Sequence, residues 1–365
     1  MADTHFHPLR VKAVRPDTEE AMIVTFDVPE GLERDFCFTQ GQYLTLRSRI
    51  DGEDVRRSYS ICAGLDDGEL RVGVRRVQGG RFSNWLAQHL RAGDLLDVMP
   101  PQGRFFVALD AAQARHYLGV AGGSGITPVL SIMKTVLARE PRSRFTLVYG
   151  NRRSASTMFK EELEDLKNRY VTRLALHHVF SEERMDSPLH QGLLDRAKLA
   201  EFLDGLVSVP AIDHAFVCGP YTMNDEAEAA LLAAGMPAER VHIERFGVPV
   251  PAGSAASAGL VPAQHVEPGD AAQCRVTVIR DGITQEIGYR ESDGNLLEAA
   301  ASAGLDVPYS CKSGVCGTCR AHLAVGQVRM ARNFALEKSD LAAGFVLTCQ
   351  AHPLTPEVTL DFDHR

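Results

Sequence analysis

Residues 311–319 read CKSGVCGTC, three cysteines within nine positions, and Cys349 follows after 29 more residues. Four thiolates at C-x4-C-x2-C with one distant partner suit a [2Fe-2S] cluster. Cys311, Cys316, Cys319 and Cys349 are the expected ligands. A structural zinc site would present two close C-x2-C-like pairs instead, and zinc or unligated thiols stay as the alternatives. Ser313, Gly314, Gly317 and Thr318 let the backbone wrap closely and turn N–H groups toward sulfur, which tunes a cluster's potential. Cys37, Cys62 and Cys274 have no ligand spacing and read as small buried hydrophobes.

A cluster takes electrons singly, so a hydride donor must reach it through another cofactor. Residues 56–61, RRSYSI, carry an Arg-x-Tyr-Ser pattern on a strand. Arg57 suits a phosphate, Tyr59 an isoalloxazine face and Ser60 the N5 edge of that ring, with Ser58 in the same stretch. Taken alone, the tyrosine reads as core. Its companion, QGGRFSNWL, places Gly80 and Ser83 at the start of a helix whose N–H groups suit a pyrophosphate. Together the two stretches point to FAD, with Tyr59 and Ser60 as catalytic candidates.

GVAGGSGITPVLSI sets Gly122, Gly123, Ser124, Gly125 and Thr127 between a strand and a helix, where backbone without side chains approaches a dinucleotide phosphate. VCGP ends a later strand of the same series, so Cys218, Gly219 and Pro220 would face a nicotinamide, with Cys218 a third catalytic candidate. After the second strand, YGNRRSAS lacks a carboxylate for a ribose 2′-OH and offers Arg152, Arg153 and Ser154 instead. These suit a 2′-phosphate, so NADPH is expected and NADH stays possible.

The elements that must position these groups fall into segments. With 365 residues the chain is long enough for two or three domains. Residues 1–108 read as short strands parted by Gly, Asp and Pro turns, the pattern of an antiparallel β-barrel that would carry the flavin. Residues 112–246 alternate strand and helix, the pattern of a doubly wound parallel α/β nucleotide domain. Residues 247–273 are rich in Ala, Gly, Pro and Ser and read as a linker. Residues 274–365 open on a hairpin turning at Asp281-Gly282, continue into a short helix closed by Gly304, and reach the cysteine loop.

Net charge is −8 with both signs interspersed, so no basic stripe exists for nucleic acid. No apolar run approaches the roughly 20 residues that span a bilayer, and the first residues lack a signal-peptide pattern. No membrane partner and a cytoplasmic location are therefore expected. Eight cysteines in a chain of this size read as metal binding rather than as a disulfide framework.

Taken in order, these motifs resemble those of ferredoxin–NADP reductase-like flavoproteins fused to a C-terminal plant-type ferredoxin domain. RRSYSIC, GGRFSNWL, MPPQGRFF, GSGITP, YGNR, VCGP, HIERF, CKSGVCGTC and LTCQAHPLT are more closely similar to the reductase components of bacterial phenylacetyl-CoA epoxidases. That resemblance implies FAD at Arg57, Tyr59, Ser60, Gly80 and Ser83, and a β-grasp (α+β) fold around the four cysteines. It also implies electron flow from NADPH through FAD and the cluster to separate di-iron oxygenase subunits. Plant reductases end in an aromatic residue over the flavin; here the chain continues past ERFG, and Phe246 is expected in that place. Reductases of Rieske-type or ketosteroid oxygenases share this order and are alternatives, as is a redox-sensing carrier without turnover. No paired Glu and Glu-x-x-His set of the helical-bundle kind that holds a di-iron centre appears, so substrate oxidation is expected to belong to the partner.

Overall fold

The computed structural model describes residues 4–248 and 267–364. Of the expected linker, residues 249–266 lie outside the described residues. The chain divides into two compact units, the first made mostly of residues 6–246 and the second mostly of residues from 247 onward.

The first unit begins with β1 (His7–Thr18), β2 (Ala21–Asp27), β3 (Tyr43–Ile50), β4 (Glu53–Ser60), β5 (Leu70–Arg75), helix α1 (Arg81–His89) and β6 (Leu95–Gln102). The strands line up as β4-β3-β6-β1-β2-β5. An antiparallel bridge from Ile61, just after β4, to Val72 in β5 joins the two ends and closes the barrel. Asp51 and Gly52, both at positive φ (53° and 82°), make the tight turn between β3 and β4. Leu9, Val24, Leu44, Leu46, Val72 and Val98 fill the interior, and α1 covers it with Phe82 and Leu86.

The parallel part follows with β7 (His116–Gly122), α2 (Ile126–Arg139), β8 (Arg144–Asn151), α3 (Lys160–Arg169), β9 (Leu174–Phe180), α4 (Arg196–Gly205), β10 (His214–Gly219), α5 (Tyr221–Ala233) and β11 (Val241–Arg245). The order β11-β10-β7-β8-β9 reverses direction at β7. Such a reversal opens a crevice at the carboxyl ends of β7 and β10. β7 is buried along almost its whole length, as a strand covered by helices on both faces must be.

Barrel and parallel sheet share one core, in which Ala21, Ile23, Cys62 and Phe105 meet the apolar face of α2. An ion network reinforces the seam. Glu162 of α3 accepts from Arg71 of β5 at 2.5 Å and also from Lys134 of α2, which reaches Asp67 at 2.6 Å. Asp17 accepts the Phe159 N–H at 3.1 Å and holds that residue in the left-handed region (φ 57°) at the start of α3.

The second unit contains β12 (Gln273–Arg280), β13 (Ile283–Arg290), α6 (Leu296–Ser302), β14 (Arg320–Val325), β15 (Val328–Met330), α7 (Lys338–Ala342), β16 (Phe345–Leu347), β17 (Ala351–Pro353) and β18 (Glu357–Asp361). The hairpin turns at Asp281-Gly282 as expected, with φ of 54° and 73°. Five strands order as β13-β12-β18-β14-β16, with β12 and β18 parallel, while β15 and β17 form a small separate pair. Asn295 caps α6 by accepting the Glu298 N–H at 3.0 Å, and Gly304 (φ 80°) follows its end. Leu296, Leu297 and Ala300 of α6 pack on Val276, Val278 and Leu360, giving the β-grasp arrangement of one helix across a mixed sheet. Cys62 and Cys274 are buried as expected, whereas Cys37 is exposed, because it lies in the loop between β2 and β3 rather than on a strand.

The Arg71 side chain is only 8% exposed, so removing its partner leaves a buried cation poorly paired. Glu162→Ala should lower stability by about 2 kcal/mol or more, a fall in melting temperature of roughly 4–8 °C. A thermal melt of the flavin-loaded chain checks this. An unchanged midpoint would show that the seam does not depend on the network.

Candidate functional site

The crevice at the sheet reversal is built by glycines. Gly125 has no room for a side chain, since a β-carbon there would lie 2.0 Å from the Cys218 carbonyl oxygen. One on Gly122 would meet Met223 Sδ at 2.6 Å, and one on Gly219 would meet Met223 Cε at 2.4 Å. Tyr149 donates its hydroxyl to Gly123 O at 2.9 Å, and Thr127 Oγ1 donates to Ser124 O at 3.0 Å, fixing the turn. Beside it lies a cleft of about 980 Å³. Gly122, Gly123, Arg152 and Pro220 are on its wall, while Ser124, Gly125, Cys218 and Gly219 form the packed turn next to them. This is backbone shaped for a dinucleotide phosphate, with no β-carbon to hold it off.

The two expected arginines part company. Arg152 faces the cleft and bonds Glu20 at 2.8 Å, whereas Arg153 is not on the wall and bonds Glu182 at 3.1 Å. The Ser154 N–H is taken by Glu183 at 2.6 Å. Arg75 of β5 also lines the cleft, and Glu20 accepts from it at 3.0 Å. Arg75 and then Arg152 hold the Glu20 carboxyl below its usual range. Sequence reading missed Arg75 and Glu20, which come from the barrel and join the cleft only through tertiary packing.

Cys218 is wholly buried at the end of β10, and burial pushes its thiol well up. Across the parallel register it pairs with Glu244 of β11. Glu244 is half-buried as a residue, but its carboxyl is surrounded by protein, and that burial raises it to about 8. HIERF was visible as a motif, yet only the β10–β11 pairing sets its acid beside Cys218. Phe246, two residues on, is 45% exposed.

Arg57, Ser58, Tyr59 and Ser60 all lie on β4. The two-residue period of a strand turns Arg57 and Tyr59 to one face and Ser58 and Ser60 to the other. Arg57 Nη1 donates to the Arg56 carbonyl at 2.7 Å, and Ser60 is buried. Tyr59 stacks on Phe82 of α1 with ring centroids 6.2 Å apart, so this face of the strand adjoins the start of the helix. Gly80 is the N-cap of α1 and supplies no side-chain bond, which leaves first-turn N–H groups open to an anion. Ser83 Oγ accepts the Val77 N–H at 3.2 Å and shapes the preceding turn. Tyr59 and the uncapped start of α1 fit a flavin dinucleotide, with an aromatic face beside N–H groups open to a pyrophosphate.

The cysteine loop wraps as its glycines require, with Lys312, Gly314 and Gly317 all at positive φ (53°, 80° and 72°). The Ser313 and Cys316 N–H groups each donate to Cys311 Sγ at 3.4 Å, and Gln350 Nε2 donates to Cys349 Sγ at 3.5 Å. β14 and β16 pair Arg320 with Leu347, which brings Cys319 to Cys349. The thiols stand as two pairs. Cys316 donates to Cys311 and holds that thiol below its usual range, with the Ser313 and Cys316 N–H groups helping, while Cys316 itself is pushed up. The Cys319 sulfur likewise pushes Cys349 up. Among the described residues, no three His, Cys, Asp or Glu side chains converge as a site for a single metal ion. Two thiol pairs, with backbone N–H donors at Cys311 and a side-chain amide at Cys349, fit a binuclear cluster.

Glu244 gives a pH signature. The folded state keeps a proton that the unfolded chain releases near pH 4.5, so the associated stability is full below that pH and is lost as pH rises through about 8. Glu244→Gln should flatten the fall in melting temperature between pH 5 and 9. Parallel curves for variant and parent would rule out a buried acid at this position.

Three family descriptions match in the order of the fold: an oxidoreductase FAD-binding domain over residues 9–107, an oxidoreductase NAD-binding domain over 120–229, and a 2Fe-2S iron-sulfur cluster binding domain over 278–354. The chain is 45% identical to one of the subunits of the 1,2-phenylacetyl-CoA epoxidase of Escherichia coli (strain K12), covering 99% of both chains. It is 35% identical to the ferredoxin reductase component of 3-ketosteroid-9-alpha-monooxygenase from Mycobacterium tuberculosis (strain ATCC 25618 / H37Rv), over 98% of this chain and 96% of that one. Among solved structures it is similar to phthalate dioxygenase reductase, described as modular for electron transfer from pyridine nucleotides to [2Fe-2S], with a TM-score of 0.58, 25% identity and 98% of each chain covered. No helix among the described residues is long and apolar enough to cross a membrane. Cofactor modules, their order and full-length identity therefore agree: the chain belongs to the family of oxygenase reductases that includes the reductase component of phenylacetyl-CoA epoxidase, oxidoreductases that use a pyridine nucleotide, FAD and a [2Fe-2S] cluster.

Proposed function

We propose that this chain takes electrons from NADPH and delivers them, one at a time, to separate di-iron oxygenase subunits that epoxidise phenylacetyl-CoA. The observation that carries the proposal is the 45% identity to a component of phenylacetyl-CoA epoxidase over essentially the whole length, against 35% for a ketosteroid monooxygenase reductase. When bound, FAD would supply the conversion of a hydride's two electrons into single transfers, which is what a one-electron cluster needs.

The chain's own part is positioning. Arg57 and the open start of α1 at Gly80 and Ser83 hold the flavin's phosphates, Tyr59 lies against its ring, Ser60 bonds near its N5 edge, and Ser58 lies in the same stretch. The Gly122-Gly123-Ser124-Gly125 turn with Thr127 seats the nicotinamide dinucleotide. Cys218, Gly219 and Pro220 guide the nicotinamide toward the ring, and Phe246 covers the ring in its absence. Arg152 takes the 2′-phosphate, with Arg153 supporting its loop. Cys311 with Cys316 would hold one iron and Cys319 with Cys349 the other, a division supported by the Cys316 N–H against Cys311 Sγ and by the β14–β16 pairing beside Cys319 and Cys349. The flavin, nucleotide and cluster functions map to residues 1–108, 112–246 and 274–365. The reading includes a cytoplasmic location, where thiols stay reduced for cluster assembly.

A reconstituted assay tests the proposal. The protein alone should oxidise NADPH slowly without oxidising phenylacetyl-CoA, and adding the purified epoxidase oxygenase subunits should couple NADPH use to loss of that thioester. Reoxidation of the cluster by a Rieske or ketosteroid oxygenase, with none by the epoxidase, would contradict the choice of partner.

A further inference from the structure

Three arginines line the nucleotide cleft: Arg75, Arg152 and Arg196. The first two share one carboxylate, since Glu20 Oε2 accepts from Arg75 at 3.0 Å and from Arg152 at 2.8 Å. Their charge is therefore partly neutralised before any ligand arrives. Arg196, the first residue of α4, is exposed and, among the described residues, makes no ion pair or side-chain hydrogen bond. A guanidinium left uncommitted on a concave wall, where its neighbours are paired, is free to take an anion without first breaking a bond.

Its placement is built into the fold rather than left to a loose loop. The Ser181 N–H donates to Asn151 O at 3.0 Å and the Glu182 N–H to Arg152 O at 2.9 Å, which stitches the loop after β9 to the loop after β8. Gly192 N–H donates to Phe180 O at 2.9 Å, tying the segment before α4 to the end of β9. Leu194 then packs on the end of β8, its Cβ 3.2 Å from where a Gly150 side chain would begin. The first turn of α4 is thus fixed across the carboxyl end of the second parallel strand, the place where a dinucleotide seated on the glycine turn puts its adenosine ribose. Of the carboxylates on the wall, Asp195 is committed as the α4 cap, accepting the Lys198 N–H at 2.9 Å. Leu193, 71% exposed on the same wall, offers the apolar face that an adenine needs.

We infer that Arg196, on the wall of the same cleft as Arg152, is a second residue that recognises the 2′-phosphate of the nucleotide, and the one whose charge is uncommitted before the ligand binds. This rests on the NADPH reading above. It shifts the specificity contact away from Arg153, which Glu182 holds and which is absent from the wall.

Calorimetry on the full-length, flavin-loaded protein separates the two levels, with adenosine 2′,5′-bisphosphate and adenosine 5′-monophosphate as probes. The parent should bind the bisphosphate more tightly. Arg196→Ala should weaken the bisphosphate by about tenfold or more, as expected for a charge-assisted phosphate contact, and shift the monophosphate by no more than about twofold. Arg196→Lys, which keeps the charge and loses the planar fork, should recover part of the loss. A parent that prefers the bisphosphate together with an Arg196→Ala variant that keeps the same preference would overturn the role of Arg196 and leave NADPH standing. Equal weakening of both probes would likewise remove the 2′-specific role. A parent with no preference would overturn the NADPH reading and this inference together.

Discussion

At the turn after the first parallel strand, backbone touches backbone. The missing β-carbon of Gly125 leaves just enough room for the Cys218 carbonyl, which would otherwise sit 2.0 Å from it. Because β7 and β10 close on one another there, α2 starts directly over the reversal of the sheet. Its apolar face, Ile126, Val129, Ile132 and Met133, is what Ala21, Ile23, Cys62 and Phe105 pack against. The same turn admits the Arg75 guanidinium, 2.9 Å from where a Gly123 side chain would begin. One close approach of main chain therefore sets the cleft, the seam with the barrel and the cation brought from β5.

The second unit solves a related problem with sulfur. Gathering thiols into a small volume raises the cost of ionising each, and the loop offsets this with N–H groups turned inward at Cys311 and a side-chain amide at Cys349. The glycines at 314 and 317 permit that inward turn, and the β14–β16 pairing brings the distant fourth cysteine into place. In each unit, then, a local run of small residues makes the site, and a strand pairing completes it.

Much of this was legible in the sequence because the decisive features are local. Glycine runs between a strand and a helix, cysteines at fixed intervals and the Asp281-Gly282 hairpin each declare themselves within about ten residues. What was not legible is carried by contacts between distant positions. The Glu162–Arg71 pair spans 91 residues and the Glu20–Arg152 pair 132. Nothing in YGNRRSAS says which of its arginines faces the cleft, because the answer depends on Glu182 from the next strand's loop and Glu20 from the barrel. HIERF stood out as a motif, but only the β10–β11 register sets its Glu244 against Cys218. Cys37 read as core from residue type alone, and its loop keeps it in solvent.

The central claim is an order of transfer: nucleotide to flavin within the first unit, then to the four-cysteine site of the second, and only from there outward. The most direct measurement is stopped-flow reduction of a full-length, flavin-loaded Cys316→Ser protein by NADPH, read at the flavin band, alongside ferricyanide reduction and transfer to the oxygenase. The account predicts flavin reduction and ferricyanide activity near those of the parent, with electron delivery to the oxygenase lost. A folded, flavin-loaded variant that no longer accepts electrons from NADPH, or one that still drives the oxygenase without its cluster, would contradict it.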